Sequence, residues 1–340
     1  MSDNHTPLRW GILGAGGIAT RFSNDVKNLA DHRLIAVGSR GSEKAHTFAD
    51  KYDIPNRHDS YEALANDPEV DVVYVATPHN FHREHTLLAL NAGKAVLCEK
   101  PFTINLAETE VLLRTAREKS LFLMEGMWTR CFPVMVKARE LVAAGEIGKP
   151  RQLIADFGFK AGATTDEGKL TGYNPGGRLF DPALGGGALM DVGVYPVSLA
   201  NMFFGEPDTV LGTAKLGDTG VDENSGMLLR FPGGEIGILS TSIQVTTSWT
   251  ATLLGTDGKI EFPSPWWCPK KLTVHRNGKD PETLEFPFEG GGFQYEAMHV
   301  ADCLRAGKTE SDIIPHRDTV AVMRTLDALR AQMGIKYPME

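Results

Sequence analysis

The sequence has little of what marks a nucleic-acid-binding, membrane or secreted protein. Its 35 lysines and arginines are outnumbered by 43 aspartates and glutamates, so a basic surface for nucleic acid or anionic membranes is not expected. No apolar run approaches the roughly 20 residues that span a bilayer. Residues 1–9 lack the basic-then-apolar pattern of a secretory signal. We therefore expect a cytoplasmic protein.

Cysteine is scarce as well, and its spacing excludes two common kinds of scaffold. The four cysteines include no CxxC pair, so neither a zinc knuckle nor a disulfide framework is expected. We interpret them as buried reduced thiols. Repeats and low-complexity tracts are also missing, and 340 residues with 42% hydrophobic content favour a globular protein of two domains. The cysteines are Cys98, Cys131, Cys268 and Cys303.

In the part of the chain before about Glu125, short β-branched runs alternate with longer helical stretches. This alternation is typical of a parallel sheet built from crossover units. We therefore predict an α/β protein in which residues 1–126 form a doubly wound domain. The predicted strands are Arg9–Leu13, Leu34–Gly38, Val70–Ala76, Ala95–Cys98 and Leu121–Met124, and the predicted helices are Ile18–Leu29, Ser42–Tyr52, Phe81–Asn91 and Ala107–Glu118.

After about Gly126 the rhythm changes, because strands follow one another without crossover helices. Consecutive strands of this kind favour a largely antiparallel sheet, so residues 127–340 are predicted to form an α+β domain. Pro232-Gly233-Gly234 is a predicted hairpin turn. The predicted helices are Val134–Ala144, Tyr295–Ala306 and Arg317–Met333, and the predicted strands are Arg151–Phe159, Thr209–Lys215, Ser225–Phe231, Glu235–Ser242, Thr250–Leu254, Lys259–Phe262 and Leu272–Arg276.

A glycine-rich turn follows the first predicted strand and opens the first predicted helix. In this turn Gly14 permits a tight bend, Gly16 lets the backbone approach a pyrophosphate, and Ala19 keeps the helix close to the strand. The pyrophosphate then meets the free amides of the helix N-terminus, where Gly17 and Ile18 lie. The pattern predicts a dinucleotide site.

The residues after the second predicted strand indicate which dinucleotide is bound. A cofactor without a 2′-phosphate favours an acidic residue here, but the sequence has Ser39-Arg40. Arg40 can pair with a 2′-phosphate and stack on adenine, and Ser39 can donate a hydrogen bond without repelling the charge. We predict NADP rather than NAD, although a solvated loop arginine is the simpler alternative.

A second polar segment follows the strand at Val70 and lies at a carboxyl edge of the predicted sheet, where ligands bind. Within it Thr77 and Pro78 fit a rigid turn under the cofactor, and His79 and His82 are further candidate contacts. His82 and His85 have helical spacing for metal ligands, but no third ligand is near in sequence. No metal is therefore expected.

Glu99-Lys100-Pro101 at the next strand end completes a recognisable set. Together with the glycine turn, Thr77-Pro78 and the segment Asp191–Tyr195, it resembles the glucose-fructose oxidoreductase/inositol dehydrogenase (Gfo/Idh/MocA) family. The resemblance spans essentially the whole chain and is greatest to the branch of dihydrodiol and NADP-dependent D-xylose dehydrogenases. Many family members carry His where this chain has Tyr195, which disfavours inositol-type substrates. The segments typical of the branch are Phe122–Arg130, Arg178–Pro182 with Gly185–Gly187, and Gly292–Glu296.

The resemblance implies a Rossmann domain and a second domain with an open sheet that packs in a homodimer. It implies an NADP-dependent oxidoreductase in which the nicotinamide lies over the sheet edge near Lys100 and Tyr195, with a sugar such as D-xylose or a trans-dihydrodiol as substrate. It adds Glu99, Lys100, Pro101 and Arg130 to the candidate cofactor contacts. We predict that Trp128, Phe159 and Phe293 wall the substrate pocket, although such aromatics are often core residues.

The residue types support acid–base chemistry at this site. Asp191 and Tyr195 are four residues apart in a predicted helix that Pro196 bends, so both project from one face. Oxidising an alcohol requires a base for the hydroxyl proton, and we assign Tyr195 to it. The ammonium of Lys100 lowers the pKa of a phenol from about 10 and stabilises negative charge on the substrate oxygen. Asp191 orients the substrate or Lys100.

Simpler interpretations of these three residues remain open. Lys100 is alternatively a surface charge, Asp191 a helix-end charge and Tyr195 a half-buried core aromatic. Two other functions are also open, namely a glycosidase that retains NAD and works by transient oxidation, and a dinucleotide sensor without catalysis. Net turnover of free NADP would argue against the glycosidase, and the presence of Lys100, Asp191 and Tyr195 disfavours the sensor.

Overall fold

A computed structural model describes residues 6–165 and 169–340, and in it the chain forms two compact units. The first unit comprises the chain up to Thr103, Ala107–Trp128 and Glu289–His316. The second comprises Ile104–Leu106, Thr129–Phe288 and Arg317–Glu340. The predicted boundary after residue 126 places Glu289–His316 in the second domain, whereas its contacts are with the first unit.

The first unit contains a six-stranded parallel sheet with the order β3-β2-β1-β4-β5-β6. This is the order of a doubly wound dinucleotide-binding sheet, and the predicted fold of this half is confirmed. The strands are β1 (Leu8–Leu13), β2 (His32–Gly38), β3 (Asn56–His58), β4 (Val72–Val75), β5 (Ala95–Glu99) and β6 (Leu123–Gly126). The helices are α1 (Gly17–Val26), α2 (Ser42–Tyr52), α3 (Tyr61–Ala65), α4 (His82–Asn91), α5 (Leu106–Lys119) and α8 (Phe293–Arg305).

Sequence interpretation omitted two short elements of this unit, β3 and α3. β3 is a three-residue edge strand without apolar residues, so it lacks the signal that identifies a buried strand. Helix α3, by contrast, has a helix-start signal in the sequence, namely Ser60. The Ser60 hydroxyl accepts a hydrogen bond from the amide of Ala63 (3.0 Å), as an N-cap residue does. Buried β4 and β5 were found because their apolar runs are continuous.

Helix α8 belongs to the first unit because it packs on α1. The Asp25 carboxylate, near the end of α1, accepts hydrogen bonds from the amides of Gly291 (2.8 Å) and Phe293 (2.9 Å). An acidic group is favourable there, since the first amides of a helix have no partner within it. This contact joins residues more than 260 positions apart, which local sequence patterns do not reveal.

The second unit contains an eight-stranded sheet with the order β10-β11-β12-β7-β13-β14-β15-β16. All neighbours are antiparallel except β7 and β12, and Pro232–Gly234 joins β11 to β12, as predicted. The mostly antiparallel second fold is confirmed. The elements are α6 (Pro133–Ala143), β7 (Pro150–Gly158), β8 (Ala163–Thr164), β9 (Leu170–Thr171), α7 (Val194–Phe204), β10 (Thr209–Leu216), β11 (Asp222–Arg230), β12 (Ile236–Ser242), β13 (Ala251–Gly255), β14 (Gly258–Phe262), β15 (Lys271–Arg276), β16 (Glu282–Glu285) and α9 (His316–Met333).

One face of this sheet carries a row of exposed apolar side chains on four neighbouring strands. Leu211 pairs with Leu228, Leu228 with Ile238, and Ile238 with Ile154. Their exposed fractions are 53%, 43%, 41% and 46% in the order Leu211, Leu228, Ile238 and Ile154. We call these four residues the apolar row.

The segment Pro182–Phe204 is long and apolar enough to cross a membrane, but 89% of its most apolar stretch is buried within the protein. It is therefore a core segment of the second unit. Its long helical part begins with the π-helical turn Leu189–Gly193, which leads directly into α7. Pro196 has no amide hydrogen to donate to the turn before it, which accounts for a widened turn at this place.

Candidate active site

The glycine turn leaves open space at the N-terminus of α1. Gly14 has a φ of +103°, and a side chain there would lie 3.1 Å from the carbonyl oxygen of Ala76. A Cβ added at Gly16 or Gly17 would meet no described heavy atom within 4 Å. Ala19, by contrast, is fully buried. The turn is thus closed on the protein side at Gly14 and open to a ligand at Gly16 and Gly17, which fits a pyrophosphate.

A cavity of about 510 Å³ lies beside this turn. It brings together six of the residues predicted to bind cofactor, Gly14, Gly16, Ser39, Arg40, Thr77 and Pro78. Lys44, Glu43 and Tyr61 line it too, and the sequence interpretation omitted them. Lys44 lies in the first turn of α2, soon after Arg40 in sequence, so a second basic residue close to the predicted phosphate contact was a signal that could have identified it.

A second cavity, of about 350 Å³, shares Arg40, Tyr61, Thr77 and Pro78 with the first. Its wall is aromatic, because the Phe81 ring lies under the Arg40 guanidinium at 5.7 Å and the Tyr61 ring contacts that of His85 at 4.5 Å. Burial raises the pKa of Tyr61, so the phenol is neutral. Flat rings and a guanidinium are the surfaces on which a purine stacks.

The histidines that follow β4 support the turns at Thr77 and Pro101. His79 is buried, and the fully buried His82 ring lies between the carbonyl oxygens of Pro101 (2.8 Å) and Thr77 (2.9 Å). Burial lowers the pKa of His82 to about 4, so the ring is neutral at physiological pH. His82 therefore links the two turns that follow β4 and β5, and His85 adds a contact to the Thr77 hydroxyl (2.9 Å).

Lys100 follows β5, between a carboxylate and a proline. The Glu99 carboxylate accepts hydrogen bonds from the Tyr74 hydroxyl and from the Lys100 amide (3.1 Å), and the Lys100–Pro101 peptide bond is cis. Glu99 has an exposed fraction of 4%, and Glu296 of α8 lies fully buried near it. Burial, with Glu99 and Asp25 nearby, raises the pKa of Glu296 well above its usual range. Glu99 thus fixes the backbone that carries Lys100.

Two of the predicted pocket aromatics contact one another. Trp128 and Phe293 stack with ring centroids 4.5 Å apart and planes within 5° of parallel. Their exposed fractions are 7% and 2%, so each presents little surface within the first unit. Phe159, in the second unit, packs instead against a cluster of Leu170, Phe180, Ala188 and Ile243.

In the second unit, Asp191 lies in the π-helical turn and Tyr195 at the start of α7. The Asp191 carboxylate accepts a hydrogen bond from the Arg178 guanidinium (2.6 Å) and is 4% exposed. The Tyr195 ring is 5.2 Å from the Phe157 ring, which stacks on Trp267 at 3.5 Å. Sequence interpretation gave Phe157 and Trp267 no role, and it named Arg178 only within a segment typical of the branch. Strand alternation was a usable signal for Phe157, since it places residues 153, 155 and 157 on one buried face of β7.

Arg130 is buried and paired within the second unit. Its guanidinium donates to the Asp318 carboxylate (2.7 Å), and its exposed fraction is 3%. Arg130 and Asp318 are 188 positions apart, so the pairing was not evident in the sequence.

One cluster outside these places has the composition of a metal site. Donor atoms of His299, Cys303 and Asp312 lie within 4.8 Å of one another. His299 Nε2 also contacts the Ser311 hydroxyl (2.7 Å), and Asp312 pairs with Lys308 (3.2 Å). Protein partners therefore account for both groups.

Comparison with known proteins agrees with this arrangement. Residues 8–127 match the model of an oxidoreductase family with an NAD-binding Rossmann fold, and residues 135–261 match the GFO/IDH/MocA C-terminal domain. The chain is 38% identical to human trans-1,2-dihydrobenzene-1,2-diol dehydrogenase, over 98% of this chain and 99% of the relative. It is 37% identical to D-xylose 1-dehydrogenase (NADP+) of Hypocrea jecorina, over 99% and 95% of the two chains.

A solved structure is similar to this chain in its fold as well. Aldose-aldose oxidoreductase from Caulobacter crescentus, complexed with glycerol, superposes with a TM-score of 0.84 at 27% identity, over 96% of this chain and 97% of the other. The predicted family, fold and oxidoreductase class are confirmed. The chain belongs to the Gfo/Idh/MocA family and is an NAD(P)-dependent dehydrogenase that acts on CH–OH groups.

Proposed function

We propose that this protein uses NADP to oxidise a hydroxyl-bearing carbon of an aldose such as D-xylose, or of a trans-dihydrodiol. The cavity beside the glycine turn carries this proposal, because Arg40, Lys44 and Ser39 line it after β2, where an NAD site would have an acid on the ribose. The two positive charges of Arg40 and Lys44 exceed the single negative charge of Glu43 in the same cavity wall, so the wall favours a phosphate. The names of the two relatives support the substrate class.

The cofactor accepts the hydride, and the protein must handle the hydroxyl proton. Tyr195 takes this proton in the oxidative direction and returns it in the reverse direction. Lys100 stabilises negative charge on the substrate oxygen, on a backbone that Glu99 and Tyr74 hold in place. Asp191, ion-paired with Arg178, orients a substrate hydroxyl.

The remaining predicted contacts divide into two groups. Gly14, Gly16, Gly17, Ile18, Ala19, Thr77, Pro78, His79 and His82 form or support the cofactor turns, and Glu99 and Pro101 hold the backbone next to Lys100. Arg130, paired with Asp318, is a proposed cofactor contact. Trp128, Phe159 and Phe293 are proposed walls of the substrate pocket.

The protein is further proposed to be a cytoplasmic homodimer. The apolar row supports an interface between copies, since a contiguous exposed apolar strip on a sheet face commonly marks an association surface. A second copy is the fitting occupant, because two identical rows are self-complementary about a twofold axis.

The test is absorbance at the reduced-nicotinamide band with NADP or NAD and a panel of D-xylose, other aldoses, inositol and a cyclic trans-diol. We expect turnover of an aldose or diol with NADP. Lys100→Met should reduce kcat by about a thousandfold or more while NADP binding is retained. Lys119→Met, an exposed change at the end of α5, is the matched control. Full activity of Lys100→Met would refute the proposed role.

A further inference from the structure

The glycine loop before the π-helical turn is packed tightly against the protein itself. A Cβ added at Gly186 would lie 2.7 Å from the Leu179 carbonyl oxygen. At Gly187, which has a φ of +112°, it would lie 2.3 Å from Asp222 Oδ1. The loop therefore fits its surroundings only as glycine, and the Asp222 carboxylate forms part of the wall.

Asp222 caps the helix that carries Asp191 and Tyr195. It is fully buried in β11, and its Oδ2 accepts hydrogen bonds from the Leu189 amide (2.8 Å) and the Ser225 hydroxyl (2.7 Å). Leu189 is the first residue of the π-helical turn, so this bond satisfies an amide that the turn itself leaves without a partner. Oδ1 accepts no hydrogen bond from any described residue.

A second contact, from the far C-terminus, holds the loop at its other side. The Tyr337 hydroxyl donates to the Gly186 carbonyl oxygen (2.8 Å), and the ring is 3% exposed. The Arg330 guanidinium lies 5.0 Å from this ring and pairs with Glu340 (2.7 Å), so the last residues are themselves anchored.

We propose that Asp222 and Tyr337 are positioning residues, which clamp the loop Gly185–Gly187 and the π-helical turn so that Asp191 and Tyr195 keep the orientation that catalysis needs. This rests on the proposed function for the roles of Asp191 and Tyr195. The clamp itself rests on the contacts of the second unit.

The clamp responds to pH. Burial raises the pKa of Asp222 to about 6, with Glu223 adding to the rise, while the Ser225 and Leu189 hydrogen bonds oppose it. The other groups that face it are Tyr337 and, beyond its ring, Arg330 and Glu340. Below pH 6 a proton binds the open Oδ1, and the capping bond loses its ionic character, which weakens it by about half. The clamp is therefore tightest above pH 6.

The first measurement is hydrogen exchange of backbone amides in residues 186–195, with NADP binding followed in parallel. Asp222→Asn keeps the shape but removes the charge, and Tyr337→Phe removes only the hydroxyl. We expect about fivefold or greater acceleration in this segment for both variants, with NADP affinity unchanged. Asp208→Asn, a surface acid paired with Arg230, is the control and should exchange as wild type.

The second measurement is the pH profile of kcat. For the wild type we expect an additional fall of kcat below about pH 6, on top of the fall caused by protonation of Tyr195, whereas Asp222→Asn should already be slower at pH 8 and should lack this additional fall. Wild-type exchange in residues 186–195, or a uniform acceleration across the whole chain, would overturn the clamp. Altered exchange with unchanged kcat would overturn its part in catalysis. Failure of every substrate would instead count against the proposed function, since exchange needs no turnover.

Discussion

Two of the glycine clusters that precede helices in this chain serve opposite purposes. At Gly16 and Gly17 a side chain would point into open space beside the N-terminus of α1. At Gly186 and Gly187 it would collide with the Leu179 backbone and the Asp222 carboxylate. At the first cluster, the absence of side chains leaves space for a ligand. At the second, glycine is needed because other atoms of the protein already occupy the space that a side chain would take.

The difference shows that a glycine-rich segment before a helix does not by itself indicate a ligand. In the sequence each cluster is simply a run of glycines shortly before a helix. Only the neighbouring atoms distinguish them, and those neighbours, such as Asp222 at Gly187, lie far along the chain. Four substitutions test this distinction and its consequences.

The largest effect is expected from Gly187→Ala. The added methyl group would overlap a buried carboxylate, at a φ that L-residues rarely adopt. We expect the free energy of unfolding to fall by about 3 kcal/mol or more, measured by urea denaturation. Gly16→Ala is the matched control and should change it by less than about 0.5 kcal/mol. Equal stability of the two variants would contradict the comparison.

Arg40→Asp tests whether the cavity beside the open glycine cluster binds NADP. Replacing a cation beside a 2′-phosphate with an anion should weaken NADP binding by about a hundredfold and leave NAD within a few fold. Fluorescence titration with both cofactors measures it, and Arg114→Asp, on the exposed side of α5, controls for charge. An unchanged preference would refute the assignment of Arg40.

Gly16→Ala should also weaken NADP binding, by less than Arg40→Asp does. The methyl group would occupy the space through which a pyrophosphate approaches the backbone, so NADP affinity should fall by about tenfold. Calorimetric titration of NADP measures this loss, and melting should stay at the wild-type temperature. A variant that binds NADP as wild type would show that the open space has another use.

The smallest effect on the folded monomer is expected from Ile238→Asp, which extends the comparison to the two sheets. The first sheet has buried central strands, whereas the second exposes the apolar row. A charge at the centre of that row should dissociate a homodimer and change monomer stability by less than about 0.5 kcal/mol. Analytical ultracentrifugation decides the matter, with Val245→Asp, exposed outside the row, as control. A wild-type monomer would refute the proposed interface.

The sequence predicted much of the fold because its signals are local. Helix α2 was predicted with its observed bounds, and the bounds of β1, β4 and β5 were predicted within two residues, since a buried parallel strand is a continuous apolar run. The edge strand β3 was omitted because it buries little. The π-helical turn before α7 was expected only as a bend at Pro196, since the turn type depends on how the chain packs around it.

The candidate site was predicted unevenly for the same reason. Gly14, Gly16, Ser39, Arg40, Thr77 and Pro78 were found by their place at strand ends, and they line one cavity. Arg178, Phe157 and Trp267 were not assigned to the site, since their contacts with Asp191, Tyr195 and one another form only when the chain folds.

The sequence by itself determined the doubly wound sheet and the cofactor turn, because their signals lie within about twenty positions of one another, and it determined the family through several such local motifs in a fixed order. The tertiary structure alone decided which glycines are open, that Asp25 holds α8, that Arg130 pairs with Asp318, and that Asp222 and Tyr337 meet the glycine loop. These contacts join side chains that are distant in sequence. Such pairs form only once burial has removed their competing contacts with water.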